Sequence, residues 1–329
     1  PLLLTSAVCL AAPTRWHNSL QPTGQPSAPL TLAKSGATDY VIVIPAAPTT
    51  QDQKAAADLA QWLGEMTDAQ FAVVPDSEPA RPTEISIGQT NRLAGVKLPL
   101  PRGGLGNEGY AIGVSGRRLL LVGGKARGAI NAVYALLEED LGCRWYDRTS
   151  ARIPHRRTLT FAPVPRGFAP RLFLRDPFYY DAFDATWSLR NRTNAPGAAV
   201  PEEWGGHVDY DGLFVHTFNT LVPPGQYFEK HPEYFMLAKS GKRSAQQLCL
   251  TNPEVLRIAT ESLLAILRKH PHTEIVEVSP NDGGQHCLCP NCQAVDNANG
   301  SPSGTLITFV NHIAAAVEQE RPEVMVSTL

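Results

Sequence analysis

The second half of this chain sets strand-length apolar runs against helix-length amphipathic stretches, with no two-residue hairpin turn between them. Few folds accept that rhythm. Arg171-Leu-Phe-Leu-Arg175, Phe214-Val-His-Thr-Phe218, Ile275 to Val278 and Val324 to Ser327 read as strands. Between the second and third, Asn252-Pro253 supplies an N-cap and a first-turn proline for a helix carrying Leu256, Ala259, Leu263, Ile266 and Leu267 on one stripe. Between the third and fourth, Ser303 caps a helix with Leu306, Phe309, Val310, Ile313 and Val317, ended by Pro322. Strands alternating with helices in this way pair in parallel. The expected fold class is therefore α/β, and residues 164–329 read as the first half of a (β/α)8-type barrel, truncated at its C-terminal end.

Residues 31–163 read as a separate α/β domain. Tyr40 to Ile44, Glu84 to Gly88, Gly109 to Val114 and Arg118 to Val122 are strands by length and alternation. Gln53 to Thr67 places Ala56, Leu59, Trp62, Leu63 and Met66 at helical spacing, and Gly128 to Leu141 repeats the stripe with Ile130, Val133, Tyr134 and Leu137. Gly142 is a natural helix stop. The proline-rich stretch Phe161 to Pro170 is the expected linker. Leu119 to Gly128 mimics a dinucleotide turn, but it lacks both the G-x-G-x-x-G spacing and an acid some 20 residues on. Gly128 is better explained by close packing of a helix on the sheet.

At 329 residues and 43% hydrophobic, the chain can bury two cores. Its net charge of −2 gives no basic surface, so nucleic acid is not an expected partner. No run is long enough for an integral membrane segment. Residues 1–30 read as a signal-peptide remnant and a polar N-terminal tail. Leu2 to Ala12 resembles the end of a secretory apolar region, with Ala11 and Ala12 suited to cleavage. Val8 is large for a lipoprotein site at Cys9. The protein is expected to be exported.

Chemistry is expected where Glu274-Ile-Val-Glu-Val ends in Ser279-Pro-Asn-Asp-Gly-Gly, because barrel active sites gather on loops at the C-terminal ends of strands. There Asp282 can orient or charge-stabilise a reacting group and Asn281 can hold a polar substrate group; an ordinary Asp-Gly turn explains the same residues equally well. Cys287-x-Cys289-x-x-Cys292 with Cys249 fits either two disulfides or a four-cysteine zinc site, with His286 as a substitute for Cys249, or free thiols. All three readings are structural, and no cofactor is required for chemistry. Asp176, Tyr180, Trp187, Arg190 and Arg192 form an aromatic and charged stretch suited to sugar rings, against the plainer alternative of core packing. His216 either faces the cleft or is a satisfied structural histidine.

These residues resemble known families. Ala55 to Thr67, Glu108 to Ile112 and Gly128 to Tyr146 are similar to the accessory domain that precedes the catalytic barrel in family-20 β-hexosaminidases and family-67 α-glucuronidases. Trp187-x-x-Arg190-x-Arg192, His216-Thr-Phe218, His231 to Phe235, Leu248 to Pro253 and the cysteine loop resemble glycoside hydrolase family 163. The resemblance covers roughly residues 35–329. It implies an endo-β-N-acetylglucosaminidase that acts on glycans or glycoproteins by a substrate-assisted retaining mechanism, an exception to the two-carboxylate scheme. It also implies a general acid at the fourth barrel strand, which places that residue outside this chain. An α-glucuronidase-like enzyme on xylan and a non-catalytic glycan-binding protein are the alternatives.

Overall fold

The computed structural model describes residues 21–329, so the signal-like stretch and Cys9 lie outside the described residues. The chain is mixed α/β and divides into two compact units between Gly206 and His207.

In the first unit, β1 (Leu30–Ala33), β2 (Val41–Ile44), α1 (Thr50–Thr67), β3 (Val73–Pro75), β4 (Glu84–Ile87), β5 (Tyr110–Ser115), β6 (Arg118–Gly123) and α2 (Gly128–Ala135) follow in order. Then come β7 (Arg144–Trp145), β8 (Ala151–Arg152), β9 (Leu159–Phe161), β10 (Arg166–Phe168) and α3 (Ala185–Arg190). A six-stranded sheet runs β10-β5-β6-β4-β2-β3, parallel from β6 to β3 and antiparallel at β5 and β10. The stretch expected as a linker therefore contributes β10, an edge strand: Arg166 pairs with Ile112 and Phe168 with Tyr110. Prolines flank this strand rather than interrupt it, which is how an edge tolerates them.

Helix α1 starts in a reciprocal cap, with the Thr49 side chain accepting from the Asp52 N–H and the Asp52 carboxylate accepting from the Thr49 N–H. The apolar stripes of α1 and α2 are buried as the spacing requires, including Leu59, Leu63, Met66, Ile130 and Val133. Leu136–Asp140 continues α2 as one π-helical turn, and Gly142 at φ 85° ends it. Helix α2 sits close on the sheet because Gly128 and Gly123 have no Cβ: one built on Gly123 would stand 1.8 Å from the Ala129 amide nitrogen.

The second unit comprises α4 (Phe218–Leu221), α5 (Pro224–Tyr227), β11 (Phe235–Leu237), β12 (Arg243–Leu248), α6 (Pro253–Lys269), β13 (Ile275–Glu277), α7 (Pro290–Asn299), α8 (Ser303–Glu320) and β14 (Met325–Ser327). Strands β13 and β14 pair in parallel, Ile275 with Met325 and Glu277 with Ser327. Phe218, Leu263, Val276, Val278, Phe309 and Ile313 form the core beneath them. Asn252 caps α6 through its side chain, with Pro253 in the first turn. Helix α8 is capped differently from expectation: Ser303 is its first residue, and the buried Asp296 of α7 accepts the Thr305 N–H at 3.1 Å.

Two expected strands are absent as strands. Residues 171–175 are irregular, with Arg175 donating from Nε to the Arg192 carbonyl. Residues 214–218 run beside β13 without forming a ladder. Val215 and His216 adopt φ of 40° and 53°, a left-handed pair that breaks an extended chain. Backbone bonds join the segments only at their ends, Glu277 N–H to the Leu213 carbonyl at 3.0 Å and Phe218 N–H to the Ser279 carbonyl at 3.2 Å. Side chains tie the rest: Val215 N–H donates to the buried Glu277 carboxylate, and Ser279 N–H donates to Thr217 Oγ1.

Candidate functional site

Strand β13 ends at Glu277, and the chain then turns through Ser279-Pro280-Asn281-Asp282. The turn is held from both sides. Buried Gln247, near the end of β12, donates to the Asn281 carbonyl at 2.6 Å and accepts the Asn281 N–H at 3.1 Å. Asn281 donates through its own amide to Asn219 Oδ1 at 3.0 Å and to the Gln246 carbonyl at 2.8 Å. Its amide nitrogen is thus committed to positioning the loop. Asp282 is exposed, and its Oδ1 accepts the Gly283 N–H at 2.8 Å, a local turn that leaves the rest of the carboxylate facing solvent.

His216 converges on the same turn, with Nδ1 2.9 Å from the Pro280 carbonyl oxygen. A carbonyl only accepts, so Nδ1 is the donor in this contact. The left-handed backbone at a β-branched residue, Val215, is a strained conformation of the sort that persists where it aims a neighbouring group. The loop therefore presents an exposed carboxylate and an exposed imidazole on a fixed frame. Asn219, Gln246 and Gln247, which build that frame, carry no spacing signal, because they become neighbours only through folding.

Behind the turn lie the thiols. Cys249 follows β12, Cys287 and Cys289 end the loop, and Cys292 stands in the first turn of α7. All four are buried and none of the described cysteines is disulfide-bonded. Their sulfur atoms lie within 4.8 Å of one another. Cys249 completes the group, whereas His286 is exposed and outside it. Contact with Cys249 pulls the Cys287 thiol down from its ordinary range, and contact with Cys287 pushes Cys249 up to about 11. A cavity of about 300 Å³ lined by Phe218, Gln247, Leu250, Pro280, Cys287 and Leu306 adjoins them.

The remaining expected site residues belong to the first unit. Arg192 pairs with Glu138 at 2.7 Å and Glu139 at 3.3 Å. The Arg190 guanidinium lies 5.0 Å from the centre of the Trp62 ring. Trp187 is buried, edge-on to Tyr179. Asp176 accepts the Phe178 N–H. Tyr180 is 70% exposed, with the Arg148 guanidinium 4.1 Å from its ring centre. Sequence reading missed the ion cluster of this unit: fully buried Arg127 bonds Glu108 through Nε at 3.0 Å, and Arg175 also pairs with Glu108. Burial lowers the Arg127 pKa, and Glu108 opposes the shift.

Residues 145–329 match the family described as a domain of unknown function, DUF4838. The chain belongs to that family. No curated protein matches it. Among solved structures it is similar to the family-20 β-N-acetylhexosaminidase of Streptomyces coelicolor A3(2), at 14% identity over 92% of this chain and 64% of that one, TM-score 0.44. It is also similar to the Flavobacterium johnsoniae chitobiase, at 12% identity over 92% and 51%, TM-score 0.46. A third similarity is to a family GH115 4-O-methyl-α-glucuronidase, at 10% identity over 91% and 42%, TM-score 0.42. The chain thus spans 64% or less of the length of each of these structures. Among the described residues, no helix is long and apolar enough to cross a membrane.

Proposed function

We propose that the intact protein is an exported glycoside hydrolase acting on N-acetylglucosamine-containing glycans, as an endo-β-N-acetylglucosaminidase. In this reading the second unit is part of a (β/α)8-type barrel and the turn after β13 is part of its substrate site. The observation that carries the reading is the exposed Asp282 carboxylate on a turn whose Asn281 is held by Gln247, Asn219 and Gln246 and whose Pro280 carbonyl contacts the His216 ring. Chemistry by orientation needs such groups fixed rather than mobile. Asp282 would orient the substrate's N-acetyl group while the acetyl oxygen attacks the anomeric carbon, and His216 Nε2 would hydrogen-bond a sugar hydroxyl. No described residue is assigned as the general acid.

For the uronate-clamp alternative, Arg192 already pairs with Glu138 and Glu139 and the Arg190 guanidinium lies on the Trp62 ring, while Arg192 Nη1 and Arg190 Nε keep no hydrogen-bond partner among the described residues. A non-catalytic glycan-binding reading draws on the exposed aromatic side chains of the first unit around Phe173, Tyr179 and Tyr180. Turnover separates the two. Asp282→Asn in the intact protein should lower glycan release by at least about a hundredfold, within the range for one transition-state electrostatic contact, with an unchanged melting temperature. Equal turnover would remove Asp282 from the site.

A further inference from the structure

We infer that Cys249, Cys287, Cys289 and Cys292 hold one structural zinc ion, and that this ion clamps the loop after β13 to the β12–α6 connection. The inference stands apart from the glycosidase reading and survives if that reading fails. Cys249 Sγ lies 3.6 Å from Cys289 Sγ and 3.9 Å from Cys292 Sγ. A tetrahedron with Zn–S bonds of about 2.3 Å has edges of about 3.8 Å, between those two separations. A disulfide would need about 2.05 Å.

The local backbone is also arranged for thiolates. Cys289 is the N-cap of α7, with Pro290 in its first turn, and its sulfur accepts the Cys292 N–H at 3.5 Å. That turn puts two sulfurs on one side at the C-x-x-C spacing that tetrahedral zinc sites use. Cys287 Sγ accepts the Leu237 N–H at 3.3 Å, and the Thr251 hydroxyl lies 3.2 Å from Cys292 Sγ. Such donors orient and stabilise metal-bound sulfur, as outer-shell partners do at other metal sites. Met236, Leu237 and Ala238 pack around the group, so several thiolates could form here only beside a cation. Four soft, buried sulfur ligands favour zinc and fill all four of its positions, so the ion's work is structural.

What it stabilises follows from where the ligands sit. Cys249 leads directly into the cap of α6, while Cys287 and Cys289 close the loop that began at Pro280. The Leu288 N–H bonds the Leu237 carbonyl at 2.9 Å, so the same loop end is also tied to β11. With the metal in place, the loop is fixed at its far end by sulfur and at its near end by Gln247.

The test is metal analysis of the full chain, purified without added metal and exhaustively dialysed. The expected result is about one zinc per chain, and cobalt substitution should give the intense thiolate-to-metal absorption of a tetrahedral four-sulfur site. Stripping the zinc should lower the melting temperature and speed amide exchange in residues 280–289. Cys289→Ser should lose the metal. Because that variant can fail by unfolding, His286→Ala is the second arm and should keep full zinc content. Zinc-free protein with four freely titrating thiols, two mapped disulfides among these cysteines, bound iron, or loss of zinc in His286→Ala would each overturn the assignment.

Discussion

Two glycine-to-alanine substitutions in helices of the first unit should move stability in opposite directions. A methyl group on Gly128 would meet the Gly109 carbonyl oxygen at 2.4 Å and the Gly123 carbonyl carbon and Cα at 2.7 Å. These are backbone atoms, so no side chain can swing aside. Restoring ordinary contact near 3.5 Å requires α2 to lift from the sheet by about 1 Å. Overpacking of this kind costs about 1–3 kcal/mol, more than the helix-propensity gain of at most about 1 kcal/mol. Gly64 sits inside α1, and its added methyl would find only the Ala69 carbonyl oxygen, at 3.4 Å. There the propensity gain of up to about 1 kcal/mol stands almost unopposed. At about 2–4 °C per kcal/mol for a unit of this size, Gly128→Ala should melt several degrees lower and Gly64→Ala a few degrees higher. Differential scanning calorimetry of the full chain and both variants reads the shifts. A Gly128→Ala protein as stable as its parent would refute the close-packing argument.

Three further outcomes are expected. Asn252→Ala removes the side-chain cap of α6 and should cost about 1 kcal/mol of second-unit stability, read by denaturant unfolding. Glu108→Ala strips the counter-charge from fully buried Arg127 and should cost about 3–5 kcal/mol, visible as loss of the first-unit transition near physiological temperature. Hydrogen bonds from Ser150 and Thr149 hold the Asp147 carboxyl down to about 2, below its ordinary 3.8. Its contribution to stability is therefore present above pH 3.8 and is lost as pH falls through 2. A carboxyl-carbon NMR titration should find the low midpoint, and one near 3.8 would refute the turn geometry.

Much of the architecture was legible where local signals and burial agree. The stripes of α1 and α2 are helical and buried as their spacing requires, and β13 and β14 fall where apolar runs meet turn residues. Helices α6 and α8 form as expected, but Leu256, Ile266 and Leu306 are half-buried, and in α6 Val255 and Ile258 fill the core face. Residues 214–218 misled because the apolar alternation is real, yet consecutive left-handed residues at Val215 and His216 turn the backbone away from a ladder. The β11–β12 hairpin went unread although Ser240-Gly241 marks its turn, since Lys239 to Arg243 interrupts any apolar pattern. Helix α7 was hidden by its cysteines, with Cys289 acting as cap and Pro290 in the first turn. At the candidate site, Asn281, Asp282 and His216 were legible as residue types at an expected strand end. Gln247 and Asn219 were not, because neither residue type implies a partner some tens of positions away.

The most direct test of the central claim is mass spectrometry of the products after the intact protein is incubated with a complex N-glycoprotein. The account predicts released glycans, with one N-acetylglucosamine left on the protein. A glycoprotein that keeps its glycans whole, in the presence of correctly folded enzyme, would contradict it.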